Sequence, residues 1–153
     1  MSKLPAQSPT EIFMMKPANF LFNEETSVTN HFQDGHCQSS GQNWRLLALE
    51  EFRAAVETLR AHQIRVTVFQ DSDDPVKPDA IFPNNWISCH ETGEVVLYPM
   101  AAVNRRLERR EDVVDWLRQN FTVSRVIDLS EYEEEGKYLE GTGSMVLDYV
   151  GEC

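Results

Sequence analysis

Strand-like, helix-like and loop-like segments recur in this chain in one order, twice over, and that recurrence excludes most folds. Residues Glu11–Lys16 (EIFMMK) form a short apolar run rich in Ile, Phe and Met, which predicts a strand stopped by Pro17, a residue unable to donate to a ladder. Residues 18–42 carry Asn, Thr, Ser, Gly and Gln with no sustained period, and a loop that long points to a functional segment. Leu49, Phe52, Val56 and Leu59 then recur at helical spacing, predicting an amphipathic helix over residues ~44–62, and residues 64–69 (IRVTVF) alternate as a strand does. Residues 70–80 hold Asp71, Asp73, Asp74, Pro75, Pro78 and Asp79 and predict a loop.

The second round begins with a hairpin, residues 86–89 and 94–98 around Gly93. Leu107, Val114, Leu117 and Phe121 predict one face of a second helix, residues 123–129 a further strand, and residues 130–137 a charged loop. Residues 145–150 start another strand. The pattern therefore repeats with a period near sixty residues, although the copies share negligible residue identity. The loops Phe82-Pro83-Asn84-Asn85-Trp86 and Leu139-Glu140-Gly141-Thr142-Gly143-Ser144 hold equivalent places, and equivalent loops of a repeat converge on one face. Residues 1–153 are expected to be a single domain, the first part of a larger fold, because the strand at 145–150 would otherwise be an unpaired apolar edge.

Composition narrows the partners. Lys and Arg number 14 against 25 Asp and Glu, so the net charge of −11 repels nucleic acid and anionic membrane and favours a small molecule or a protein. No apolar run approaches the ~20 residues of a membrane span. Residues 1–10 lack the apolar stretch of a secretory signal, and Cys37, Cys89 and Cys153 are odd in number and widely spaced, as free thiols of a reducing compartment are. The expected location is the cytoplasm.

Five motifs in order, Lys16-Pro17-Ala18-Asn19-Phe20, Phe82-Pro83-Asn84-Asn85-Trp86, Tyr98-Pro99-Met100, Asn104-Arg105-Arg106-Leu107-Glu108-Arg109-Arg110 and Leu139-Glu140-Gly141-Thr142-Gly143-Ser144, resemble the guanidino-group-modifying superfamily. Within it they are similar to the bacterial amidinotransferase-like branch that includes citrulline-utilisation hydrolases. The resemblance implies an α/β fold, a five-bladed α/β propeller (pentein) of ββαβ-type units, of which this chain holds two units and the start of a third. It also implies a cytosolic hydrolase of a non-peptide C–N bond, without a cofactor, acting on a small amino acid, most simply citrulline. The products would be ornithine, carbon dioxide and ammonia, and homo-oligomers are compatible with it. A deiminase or amidinotransferase acting on a guanidino group is the rival within the superfamily, and a non-catalytic binding module the rival outside it. In relatives a Cys attacks the guanidino or ureido carbon and a His moves protons, and both come from later blades; Cys153 does not take the nucleophile's place.

Residue by residue, Glu140 matches the acidic residue at the head of a Glu-Gly-Gly-Asp-like motif, which orients the His and accepts a hydrogen bond from substrate. Asn85 matches a position where guanidinium-binding relatives carry Asp. An amide offers both a donor and an acceptor, which suits the carbonyl of a neutral ureido group, whereas Asp offers acceptors only. Asn84 and Asn85 also suit a turn after Pro83, and both readings stand at this point. Arg105 and Arg106 match a segment that grips the substrate α-carboxylate, and equally make an ordinary salt-bridged helix start with Glu108 and Glu111. Asn19 and Phe20 match a loop at the site mouth. His31, His36 and Cys37 lack a metal-ligand spacing and a fourth ligand, so no metal is expected. The aspartates of residues 71–79 and the glutamates of residues 131–135 are read as solvated charge, and Cys89-His90 as strand neighbours facing opposite ways.

Overall fold

The computed structural model describes residues 9–27, 30 and 43–146. His31, His36, Cys37, Cys153 and most of the strand expected at 145–150 lie outside them; Met145 and Val146 are not in a strand.

The first unit is a parallel β–α–β. Strand β1 (Glu11–Lys16) pairs with β2 (Arg65–Gln70) in register from Glu11 opposite Arg65 to Lys16 opposite Gln70. Between them lie a single turn, α1 (Glu24–Ser27), and the long helix α2 (Trp44–Ala61). Asn43 caps α2 by accepting from the Leu46 N–H, relieving one of the four donors that a helix start leaves unpaired. Ala48, Phe52 and Val56, spaced by four, form its buried row, and Phe52 and Val56 pack with Val66 of β2.

The second unit is a mixed three-stranded sheet. Strand β3 (Ile87–Cys89) runs antiparallel to β4 (Glu94–Leu97), and β4 runs parallel to β5 (Arg125–Asp128), so the hairpin, helix and returning strand make one ββαβ unit. Its helix α4 (Glu111–Asn120) buries Val113, Val114 and Leu117. These join Trp86, Ile87, Val95 and Met100 in a core that also takes in Met15 of β1 and thereby ties the two units together. Phe13, Phe69, Trp116 and Phe121 continue the tie as a chain of edge-to-face rings with centroids 5.4–6.4 Å apart. The architecture is mixed α/β, and among the described residues no helix is long and apolar enough to cross a membrane.

Three expectations are corrected. The second helix does not run from Leu107 to Phe121: a short turn, α3 (Val103–Arg106), ends at Leu107, and α4 begins only after Arg110, whose backbone is extended. The pattern breaks because Arg105 and Glu108 turn inward onto each other, which leaves Leu107 half exposed. Residues 71–79 are not uniformly solvated. Asp71 and Lys77 are a buried pair 3.1 Å apart, the ammonium also bonding Ser72 Oγ and the Pro75 carbonyl, and Asp79 is buried. Glu133, expected as loop charge, has a largely buried carboxylate held by Arg109, Arg106 and the Met100 N–H.

Phe52 lies far in sequence from both convergent loops, so its truncation isolates the support of β1 and β2. Phe52→Ala is expected to lower the unfolding free energy by about 3–5 kcal/mol, as large-to-small core changes do. Urea unfolding should show this as a lower midpoint with an unchanged slope.

Candidate functional site

The two loops predicted to converge do meet. The 3₁₀ turn Pro83–Asn85 and the single turn α5 (Gly141–Ser144) pack together, with the Asn84 amide 2.9 Å from Thr142 Oγ1. Gly141 has φ +40, and a Cβ on it would press into the Asn84 carbonyl oxygen and reach 3.1 Å from the Tyr98 ring. Only glycine permits both the backbone angle and the approach.

Beside this contact opens a cleft of about 800 Å³, walled by Glu25, Asp79, Asn85, Arg105, Glu140 and Gly143 among others. Arg105 is its centre. Buried at 4% exposure, it gives Nε and Nη2 to the two oxygens of Glu108, each at 3.1 Å, and lies 3.8 Å from Asp79 Oδ2 and 3.5 Å from Glu140 Oε2. Asn85 completes the ring. With its carboxamide oxygen turned to Arg105 Nη1, 2.8 Å away, Asn85 sets its NH₂ 2.9 Å from Asn84 Nδ2, so the Asn84 amide must turn its own oxygen there to accept. Glu140 also accepts from the Ala101 N–H at 3.2 Å.

Three carboxylates thus surround one guanidinium. Burial alone would lower the Arg105 pKa, but the bond to Glu108 and the charges of Glu108, Asp79 and Glu140 raise it further, so the guanidinium is permanently charged. Glu108 goes the other way. Burial pushes it up to about 7, with Asp79 and Glu140 adding to the rise and Arg105 opposing it.

The remaining predicted site residues are placed differently. Arg106 does not line the cleft; it bonds the Met100 carbonyl at 3.1 Å and Glu133 at 3.3 Å. Nor is Arg105 the open fork expected for a carboxylate, because Glu108 already fills two of its three nitrogens. Asn19 reaches Asp73 on the neighbouring loop, and Phe20 is half-buried; neither borders the cleft. His90 turns to Ser88 Oγ at 2.8 Å, and the Cys89 thiol is held above its ordinary value by desolvation, so the two make no thiolate pair. Among the described residues no His, Cys, Asp or Glu group of three or more is arranged to hold a metal.

Four participants had no clear signal in the sequence. Asp79 is masked by its acidic neighbours, and Glu108 looks like any i,i+3 partner of an arginine. Asn23, 1% exposed, donates to Asp79 at 2.6 Å and accepts from Asn104 at 2.7 Å, which pins the first loop to the cleft wall. Glu25 reinforces it by accepting from the Asn104 N–H.

The family model described as N,N dimethylarginine dimethylhydrolase, eukaryotic, matches residues 16–152, nearly the whole chain and both convergent loops. The chain belongs to that family. Its fold is similar to that of the apo structure of ArgZ, an arginine dihydrolase from the ornithine-ammonia cycle in cyanobacteria, with a TM-score of 0.64 and 20% identity. The match covers 90% of this chain and 18% of that one, so the chain spans under a fifth of the length of the protein it resembles. No curated protein sequence matches.

Gly141→Ala is expected to lower the unfolding free energy by about 1–3 kcal/mol through overpacking and strain. Gly136 also has a positive φ, +68, but nothing lies within 4 Å of its added Cβ. Gly136→Ala should therefore cost only the backbone part, about 1–2 kcal/mol, and denaturant midpoints of the two variants separate strain from the loop contact.

Proposed function

We propose that the protein carrying this chain is a hydrolase acting at the central carbon of the ureido or guanidino group of a small amino acid, with citrulline as the favoured substrate. The carrying observation is the convergence of Asn85 and Glu140, on the two loops that the repeat makes equivalent, with Arg105 of α3 and Asp79 at one cleft. Belonging to a family named for hydrolysis of a methylated arginine supports a planar nitrogen-rich group as the target. The resemblance to the five-bladed propeller supports assigning the nucleophile and the proton-transferring His to later blades.

The chain's own residues would bind and orient. Asn85 lines the cleft, and with its carboxamide oxygen turned to Arg105 its NH₂ would donate to a ureido oxygen. Glu140, partly exposed and fixed by the Ala101 N–H, would accept from a substrate nitrogen. Attack at the ureido carbon, loss of ammonia and hydrolysis of the covalent intermediate consume one water and convert citrulline to ornithine, carbon dioxide and ammonia.

A guanidino substrate is the second reading, and one observation favours it. Among the described residues Asp79, Glu108 and Glu140 outnumber the cation they share, Arg105, and a guanidinium would supply positive charge.

Asn85→Asp in the full-length protein separates the two. It removes the donor facing a carbonyl, and an unpaired buried polar group costs about 1–3 kcal/mol. The expected outcome is a shift in relative kcat/KM from citrulline toward arginine of roughly tenfold or more. Equal loss with both substrates would make Asn85 structural and remove the preference for citrulline.

A further inference from the structure

We propose that Glu108 is a positioning residue: by filling the Nε and Nη2 face of Arg105 from behind, it aims Nη1 at Asn85 and Glu140 and so sets the orientation of the two groups that meet substrate. The inference rests on the function proposed above and adds a residue that faces no ligand itself.

Geometry carries it. Glu108 is 2% exposed and does not border the cleft, so its carboxylate serves no solvent or substrate contact. Both its oxygens are spent on Arg105 in parallel bonds of 3.1 Å, an arrangement that fixes the plane of a guanidinium as a single bond does not. With that plane fixed, Nη1 is the Arg105 nitrogen nearest both the Asn85 oxygen, at 2.8 Å, and Glu140 Oε2, at 3.5 Å. A rotation of the guanidinium would shift both together.

The charged groups facing Glu108 are Arg105 on α3, Asp79 from the loop before the 3₁₀ turn and Glu140 from the loop before α5. Two of the three repel its negative charge. A proton on Glu108 relieves that repulsion and converts one acceptor oxygen into a donor facing Arg105, which breaks the parallel pair. With the carboxyl held near 7, this exchange falls at neutral pH.

Two consequences run in opposite directions. A carboxyl whose native pKa lies above its ordinary 4.5 gives stability that is complete below 4.5 and is lost as pH rises through about 7. Site order rises over the same interval, because ionised Glu108 restores the fork. A merely structural role would move activity and stability together.

The test uses the full-length protein with ¹⁵N-labelled arginine, in which the Arg105 Nε–H resonance is assigned by its loss in Arg105→Lys. In the wild type this resonance should move with a midpoint near 7, and kcat/KM for whichever of citrulline or arginine is turned over should rise with the same midpoint. Glu108→Gln, which keeps one acceptor and presents a donor, should lack both transitions and sit about tenfold or more below the wild type above the midpoint. Asp79→Asn, which removes a repelling charge, should move the wild-type midpoint to lower pH and serves if Glu108→Gln fails to fold. A resonance indifferent to pH, or a kcat/KM limb that survives Glu108→Gln unshifted, overturns the proposal. Absence of turnover with both substrates while the resonance still titrates overturns the proposed function and leaves the positioning role standing.

Discussion

A buried guanidinium with three carboxylates around it organises the cleft. Taking Arg105 out of water is tolerable only because Glu108, Asp79 and Glu140 approach it from separate segments of chain, and removing Arg105 would leave three carboxylates without their shared cation. That requirement reaches outward. Arg105 and Glu108 turn inward together, so the helix must stop at Leu107 and restart after Arg110. Asp79 must face inward, so residues 71–79 close on themselves around the Asp71–Lys77 pair. Asn23 bonds Asp79 and Asn104, which brings a loop of the first unit onto a wall built by the second.

The apolar core makes that constellation mechanically definite. Trp86 follows Asn85 directly and is wholly buried with Met15, Met100 and Val113, so the residue after the candidate amide is anchored where the two units join. On the other side, Gly141 follows Glu140 and lies against the backbone of Asn84 and Asn85. The two loops therefore have little freedom to separate without opening the core or the glycine contact. This is how equivalent places in a repeat become neighbouring places in space.

Periodicity made the secondary structure legible and left the polar interior hidden. The helix expected at ~44–62 is found as Trp44–Ala61, and the strand at Glu11–Lys16 is found with those bounds, because both bury one face and write a period into the sequence. The meeting of the 82–86 and 139–144 loops was legible too, since it follows from the repeat. Arg105 with Glu108, Asp71 with Lys77 and Glu133 with Arg109 were not, because a buried ion pair and a solvated one use the same residues at the same spacings. What distinguishes them is a tertiary neighbour that desolvates the charge, and no local pattern encodes it. Leu107 was misjudged for the same reason: apolar spacing ran on through a break imposed by charge.

The amide at position 85 acquires a second meaning in this setting. Its carboxamide oxygen lies 2.8 Å from Arg105 Nη1, so it is an internal ligand of the guanidinium as well as a candidate contact to substrate. A carboxylate there would be a fourth negative group around one cation and would compete with Glu140 for the same nitrogen. It would also add repulsion to Glu108, which already sits near neutrality. An amide avoids both effects, being a strong enough acceptor to satisfy Nη1 and adding no charge. The choice of Asn at 85 is therefore bound to the choice of Glu at 108 and 140, and substrate preference and internal charge balance in this cleft are set by one shared network.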